Sequence, residues 1–122
     1  ASTLMISLLG SNPEYQPYGV QKFEWNPQAQ RLENSWVNNQ VSSPSSVPMA
    51  SLDSNRVYFV GARNNQWTLE ALDWSTGKSD LHYVIGGQRY YVLFSGTLID
   101  EDGRIHYGTP WGRVRLNVQG PP

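Results

Sequence analysis

Apolar residues along this chain occur in short runs, each bounded by turn-forming residues. The runs are rich in Val, Ile, Leu, Tyr and Trp, and no long stretch keeps the three- and four-residue apolar spacing of a helix. This pattern predicts about ten short strands joined by turns that contain Gly, Pro and Asn, and therefore an all-β fold. The predicted strands cover residues 3–9, 19–25, 32–37, 47–52, 56–60, 67–74, 78–85, 90–98, 104–107 and 111–118.

The composition narrows the class of protein. The 122 residues are 39% hydrophobic with five Trp, too rich in large apolar groups for a disordered chain. The net charge of −1 has no basic excess, so we expect no nucleic-acid partner. No apolar run is long enough for a membrane span. The absence of Cys excludes disulfides and thiolate metal sites, and with the abundant Asn and Gln it favours a periplasmic or secreted protein.

Three landmarks recur along the chain at a similar interval. Strand-ending glycines at positions 10, 61 and 108 lie 51 and 47 residues apart, and the turns that follow Trp25 and Trp74 lie 49 apart. Residues 53–58 match residues 101–106 at an offset of 48. A period near this value with four strands per unit is typical of a β-propeller blade. A β-sandwich, which has equally short strands but no reason to repeat, is the alternative fold.

The period divides the chain into a blade remnant at 1–46, a complete four-stranded antiparallel blade at 47–85 and an incomplete blade at 86–122. These make about two and a half blades, whereas a closed propeller needs about four or more. We therefore expect a fragment of a larger propeller, or a partial propeller that assembles from several copies. The expected partners are the remaining blades of a parent protein or further copies of this chain.

Residues 71–77, of sequence ALDWSTG, resemble the blade motif of quinoprotein-like (PQQ-like) propellers, written A-x-D-x-x-T-G-x-x-x-W. The resemblance implies that this segment is the turn between the third and fourth strands of a blade, with a Trp that packs between blades. The last position departs from the motif, because Leu81 stands where the family has Trp, and Trp74 is the candidate to replace it. The structural motif residues are Ala71, Asp73, Trp74, Thr76 and Gly77.

Enzymes of the resembled family would need calcium ligands, basic contacts to a quinone and, in many cases, paired cysteines, which this chain lacks. The acidic cluster at residues 100–103 could bind Ca²⁺, but its position in the repeat favours a strand reversal. His82 and His106 accompany no nucleophile or metal-binding motif. We therefore expect no catalytic residue, metal or cofactor in this segment. If the parent protein is an enzyme, a dehydrogenase or a sulfotransferase, its active site would lie in other blades.

The loops expected to meet at one end of a propeller are rich in amides and contain two arginines. Such a face could bind a small anionic or polar ligand. The function predicted from the sequence is thus a non-catalytic scaffold or binding segment, and the other alternative is a sugar-binding, lectin-like module that closes its ring by oligomerisation. We expect Trp25, Trp67 and Trp74 to pack between blades. The candidate ligand-binding residues are Asn38, Asn39, Arg63, Asn64, Asn65, Gln88, Arg89, Tyr90 and Trp111.

Overall fold

The computed structural model describes residues 18–92 and 95–117 and confirms an all-β fold built mainly of antiparallel sheets. The strand predicted at 3–9 lies outside the described residues. The strands are β1 (Val20–Asn26), β2 (Arg31–Asn38), β3 (Ser46–Val47), β4 (Met49–Ser51), β5 (Arg56–Arg63), β6 (Gln66–Asp73), β7 (Ser79–Gly86), β8 (Ser95–Gly96), β9 (Leu98–Ile99), β10 (Arg104–Thr109) and β11 (Gly112–Asn117). The described residues include no helix with the length and hydropathy that a membrane span needs.

The central sheet is a four-stranded antiparallel meander in the order β4-β5-β6-β7. Its strands span residues 49–86, whereas the predicted unit spans 47–85; Val47 belongs to β3, which pairs with β8. Its β5–β6 turn is formed by Asn64 and Asn65, whose φ angles of 50° and 61° match the twist that a two-residue hairpin requires. Pro48 separates β3 from β4 because proline has no amide hydrogen to donate to a ladder.

One face of the central sheet packs against the β1–β2 hairpin. Val57 and Phe59 of β5 and Leu72 of β6 are buried there against Trp36 of β2 and Val41 of the loop that follows. The hairpin contacts the central sheet through Val20 and Trp36, near its open end, where Val20 and Asn38 pair. Glu24, nearer the turn on the same strand, is exposed.

The opposite face of the central sheet packs against the three-stranded sheet β9-β10-β11. Tyr58 and Leu69 contact Ile105, while Trp67 lies in a cluster with Tyr107. The alternation of β5 and β6 thus buries both sets of side chains, one set against the preceding sheet and the other against the following sheet. Double burial explains why these two strands read as nearly continuous apolar runs.

Two short strands, which precede the central sheet and the three-stranded sheet along the chain, form a parallel pair of their own. β3 pairs in parallel with β8, with Ser46 opposite Ser95 and Val47 opposite Gly96. The hydroxyl of Ser46 lies 3.3 Å from that of Thr97. The segments that lead into the two larger sheets are therefore joined by main-chain pairing, and the sheets themselves by their packed faces.

The strand predicted at 90–98 is wrong as a single element. A short 3-10 turn at Gln88–Tyr90 comes first, closed by Tyr90 N–H donating to the Gly87 carbonyl at 3.0 Å, and only short strands follow. Gly86 adopts a φ of 152°, and a Cβ there would lie 2.9 Å from the Tyr90 ring. Tyr90 and Tyr91 pack on the Trp67 cluster, and neither belongs to a strand.

The three tryptophans expected between sheets have different environments. Trp67 is fully buried and Trp74 is half-buried, but Trp25 is 60% exposed. Trp25 lies on the outer face of the hairpin, which no described residue covers, so its packing between sheets stays a prediction.

Candidate functional site

The turn between β6 and β7 is organised by the Asp73 side chain. Its Oδ1 accepts hydrogen bonds from Ser75 N at 3.0 Å and from Thr76 N at 2.7 Å and Oγ1 at 2.9 Å. The Thr76 backbone hydrogen bond is the main reason that the pKa of Asp73 lies below its ordinary value. Gly77 closes the turn with a φ of 75°, a conformation that glycine adopts without steric cost. The motif residues therefore form a local turn of the kind that their chemistry predicts.

Three donors from the hairpin bind the carbonyl oxygens of this turn. Lys22 Nζ and Trp36 Nε1 donate to the Trp74 carbonyl at 3.0 and 2.9 Å, and Asn38 Nδ2 donates to the Gly77 carbonyl at 2.7 Å. The Lys22 ammonium also lies 4.2 Å from the centroid of the Trp74 ring. We call these three side chains the carbonyl latch, because they fasten the hairpin to the central sheet.

An open polar groove of about 510 Å³ lies beside the latch. It brings the predicted residues Asn38 and Asn39 together with the second half of the turn. Lys78 contributes an ammonium group and no carboxylate lines the groove, so its chemistry suits a small anionic or polar group. Thr76 and Gly77, which the sequence singled out as structural motif residues, also line the groove, and the remaining lining residues, which it did not single out, are Val37, Gln40 and Ser79.

Arg63 forms an ion pair in the structure. Its Nη2 lies 2.7 Å from Glu70 Oε1 and 3.0 Å from Ser79 Oγ, and its Nε lies 3.1 Å from both carboxylate oxygens of Glu70. The Glu70 side chain is fully buried, while that of Arg63 is 18% exposed. The sequence analysis missed Glu70, although a charged residue in the middle of an apolar strand is a signal that a buried partner is needed.

The other predicted residues lie at the ends of different hairpins and loops. Asn64 and Asn65 form the exposed β5–β6 turn, where Asn64 N–H donates to Tyr18 Oη at 3.1 Å. Arg89 and Tyr90 belong to the 3-10 turn with Gln88, and Trp111 is 73% exposed at the β10–β11 turn. The structure thus distributes the candidate set among the groove, the ion pair and these turns, and anion binding by the set stays a prediction.

The acidic segment 100–103 forms a strand reversal between β9 and β10. Asp100 Oδ1 accepts hydrogen bonds from Asp102 N at 3.0 Å and from Arg104 N at 2.9 Å. Its Oδ2 lies 2.9 Å from Nε2 of His106, which must donate to the ionised carboxylate. Within residues 18–92 and 95–117, no group of three or more His, Asp or Glu residues is arranged to hold a metal ion.

The Asp100 network predicts a pH-dependent stability. The His106 hydrogen bond, followed by the backbone bond from Arg104, holds the pKa of Asp100 below its ordinary 3.8. The ionised carboxylate therefore stabilises the fold above this pH, and the contribution is lost as pH falls through the lower pKa of the folded state. In urea titrations, Asp100→Asn should lower the unfolding midpoint above pH 5 and differ less from the native chain below pH 4.

Asp53→Asn provides the matched control, because Asp53 is an exposed residue of the equivalent turn between β4 and β5. At neutral pH it should lower the unfolding midpoint much less than Asp100→Asn does. A difference between native and Asp100→Asn proteins that stays constant over the whole acidic range would contradict the prediction.

This chain is similar in sequence to part of a longer protein. It is 37% identical over 110 residues to a protein of Archaeoglobus fulgidus that is described as uncharacterized. The match covers 89% of this chain and 22% of the relative, so the chain spans about a fifth of the relative's length. No protein-family model and no solved structure matches the chain.

Proposed function

We propose that this chain is a non-catalytic scaffold segment of a quinoprotein-like β-propeller, whose further sheets come from additional sequence or from other copies. The observation that carries the proposal is the central meander, which is buried on one face by the preceding sheet and on the other by the following sheet. A two-layer sandwich covers only one face of each sheet. Successive sheets with both faces covered are the arrangement that a radial stack requires.

Repeated hydrogen bonds support a common unit. Ser46 Oγ accepts from Val60 N at 3.1 Å, and Ser95 Oγ accepts from Gly108 N at 2.9 Å. The serines are 49 residues apart and the amides 48 residues apart. A serine of β3 thus bonds to β5 in the same way as a serine of β8 bonds to β10.

The turns repeat as well. The β4–β5 turn has Asn55 at a φ of 52°, and the β9–β10 turn has Gly103, 48 residues later, at 78°. Asn26 caps the β1–β2 turn as Asp73 caps the β6–β7 turn, by accepting from the amides two and three residues further on. The two capping residues are 47 residues apart, whereas the tryptophans beside these turns are 49 residues apart.

The proposal includes no catalysis because polar side chains that could take part in it form structural contacts instead. The guanidinium of Arg63 is committed to Glu70, and Asp100 is committed to its own turn and to His106. These contacts hold strands and turns in place. The relative's greater length supports the proposal, since it leaves room for several further units of this size.

Electron microscopy of the full-length A. fulgidus relative tests the proposed function. We expect disc-shaped particles in which sheets radiate from a central channel, with the region similar to this chain contributing consecutive sheets. Particles in which this region forms a separate two-layer sandwich would overturn the proposal.

A further inference from the structure

The outer face of the β1–β2 hairpin is apolar and uncovered among the described residues. Phe23 and Trp25 of β1 point to this face with Leu32 and Val37 of β2, and the pairing of Trp25 with Leu32 sets them side by side. Their exposed fractions are 52%, 60%, 63% and 48%. The two polar members of the face, Gln21 and Asn34, bond to each other at 2.8 Å. A contiguous apolar surface of this kind marks an interaction site.

The outer face of β10–β11 has the complementary chemistry. Arg113 and Arg115 are exposed on it, and neither forms a hydrogen bond or ion pair with any residue in the described part of the chain. They occupy the positions at which the central sheet has the buried residues Leu69 and Ala71. The matching pairs are Val60–Leu69 with Gly108–Arg113, and Tyr58–Ala71 with His106–Arg115.

A contact already present between two sheets of this molecule pairs a basic side chain with an aromatic ring. At the carbonyl latch, Lys22 of one sheet lies over the Trp74 ring of the next and donates to its carbonyl. An arginine can make the same contact, since its guanidinium stacks on aromatic faces and its aliphatic stem covers apolar surface.

We propose that the β10–β11 face of one copy of this chain packs on the β1–β2 face of a second copy, with Arg113 and Arg115 over Phe23 and Trp25. The proposal rests on the stacking of sheets in the proposed function and identifies a partner for it. The two faces are different surfaces, so the contact is head-to-tail, and it leads to a ring if the rotation between copies closes.

Sedimentation velocity from micromolar to millimolar concentration tests this assembly. The native chain should associate reversibly. Phe23→Thr/Trp25→Thr and Arg113→Thr/Arg115→Thr should each weaken association by about tenfold or more, since each removes one side of the contact while threonine preserves strand propensity. Each double variant keeps one intact face, so an equimolar mixture of the two should form a dimer and no larger species.

Tyr83→Thr is the matched control, because Tyr83 is a 59% exposed aromatic residue on β7 and lies outside both faces. It should associate as the native chain does, and circular dichroism should show that all variants are folded. A native chain that stays monomeric, or arginine variants that associate as tightly as the native chain, would overturn the proposal. Those results would leave the sheet stack of the full-length relative intact, so the two proposals can fail separately.

Discussion

Arg63→Met should lower the free energy of unfolding by about 3–5 kcal/mol, because it leaves the fully buried Glu70 carboxylate without its partner. Because the Glu70 side chain has no exposed surface, water does not replace the lost hydrogen bonds. Chemical denaturation at neutral pH measures the loss. The double variant Arg63→Met/Glu70→Met should recover most of it, since replacing both partners removes the unpaired charge.

The same substitution at an exposed ion pair is the control. Arg31 lies 3.1 Å from Glu33, but the two side chains are 71% and 41% exposed. Arg31→Met should therefore change the free energy of unfolding by less than about 1 kcal/mol. A comparable loss at positions 31 and 63, or a double variant no more stable than Arg63→Met, would contradict the role assigned to burial.

Gly77→Ala should lower the free energy of unfolding by about 3 kcal/mol, because two costs combine at this position. A residue with a Cβ is strained at the Gly77 φ of 75°. The added methyl group would also overlap the Trp36 indole, whose Nε1 is part of the carbonyl latch. Thermal and urea unfolding of the purified chain measure the effect.

Two comparisons separate these costs. Gly87→Ala should be nearly neutral, because nothing lies within 4 Å of a Cβ built there and its φ is not in the left-handed region. Adding Trp36→Leu to Gly77→Ala should cost less than the sum of the single changes, because leucine relieves the overlap. Strict additivity of Gly77→Ala and Trp36→Leu would show that the indole is not the obstacle.

Much of the local structure follows from residue chemistry within a few positions. Asp73, Thr76 and Gly77 form their turn from their own hydrogen bonds and backbone freedom, and the Asp100 reversal does so as well. Strand positions follow from the apolar runs between such turns. The segment 90–98 is the exception, because Tyr90 and Tyr91 pack on a cluster formed by other sheets.

The candidate binding residues show where local chemistry stops being informative. Arg63 occupies a strand end beside a polar turn, which is typical of a ligand-binding arginine. Its partner Glu70 lies one strand away, and Gly61 has no side chain to obstruct that of Glu70. Asn38 similarly bonds to Gly77, 39 residues away. Neither contact can be obtained without the packing of the hairpin and the central sheet.

The sequence by itself determined that this protein is all-β and where most of its turns lie, because these features depend on short-range alternation and backbone preferences. Only the tertiary structure decided which faces are covered. Trp25 and Trp67 occupy similar strand contexts, yet one is 60% exposed and the other fully buried. The reason is that burial depends on which side chains another sheet covers, and the residues that cover Trp67, such as Tyr107, lie far from it along the chain.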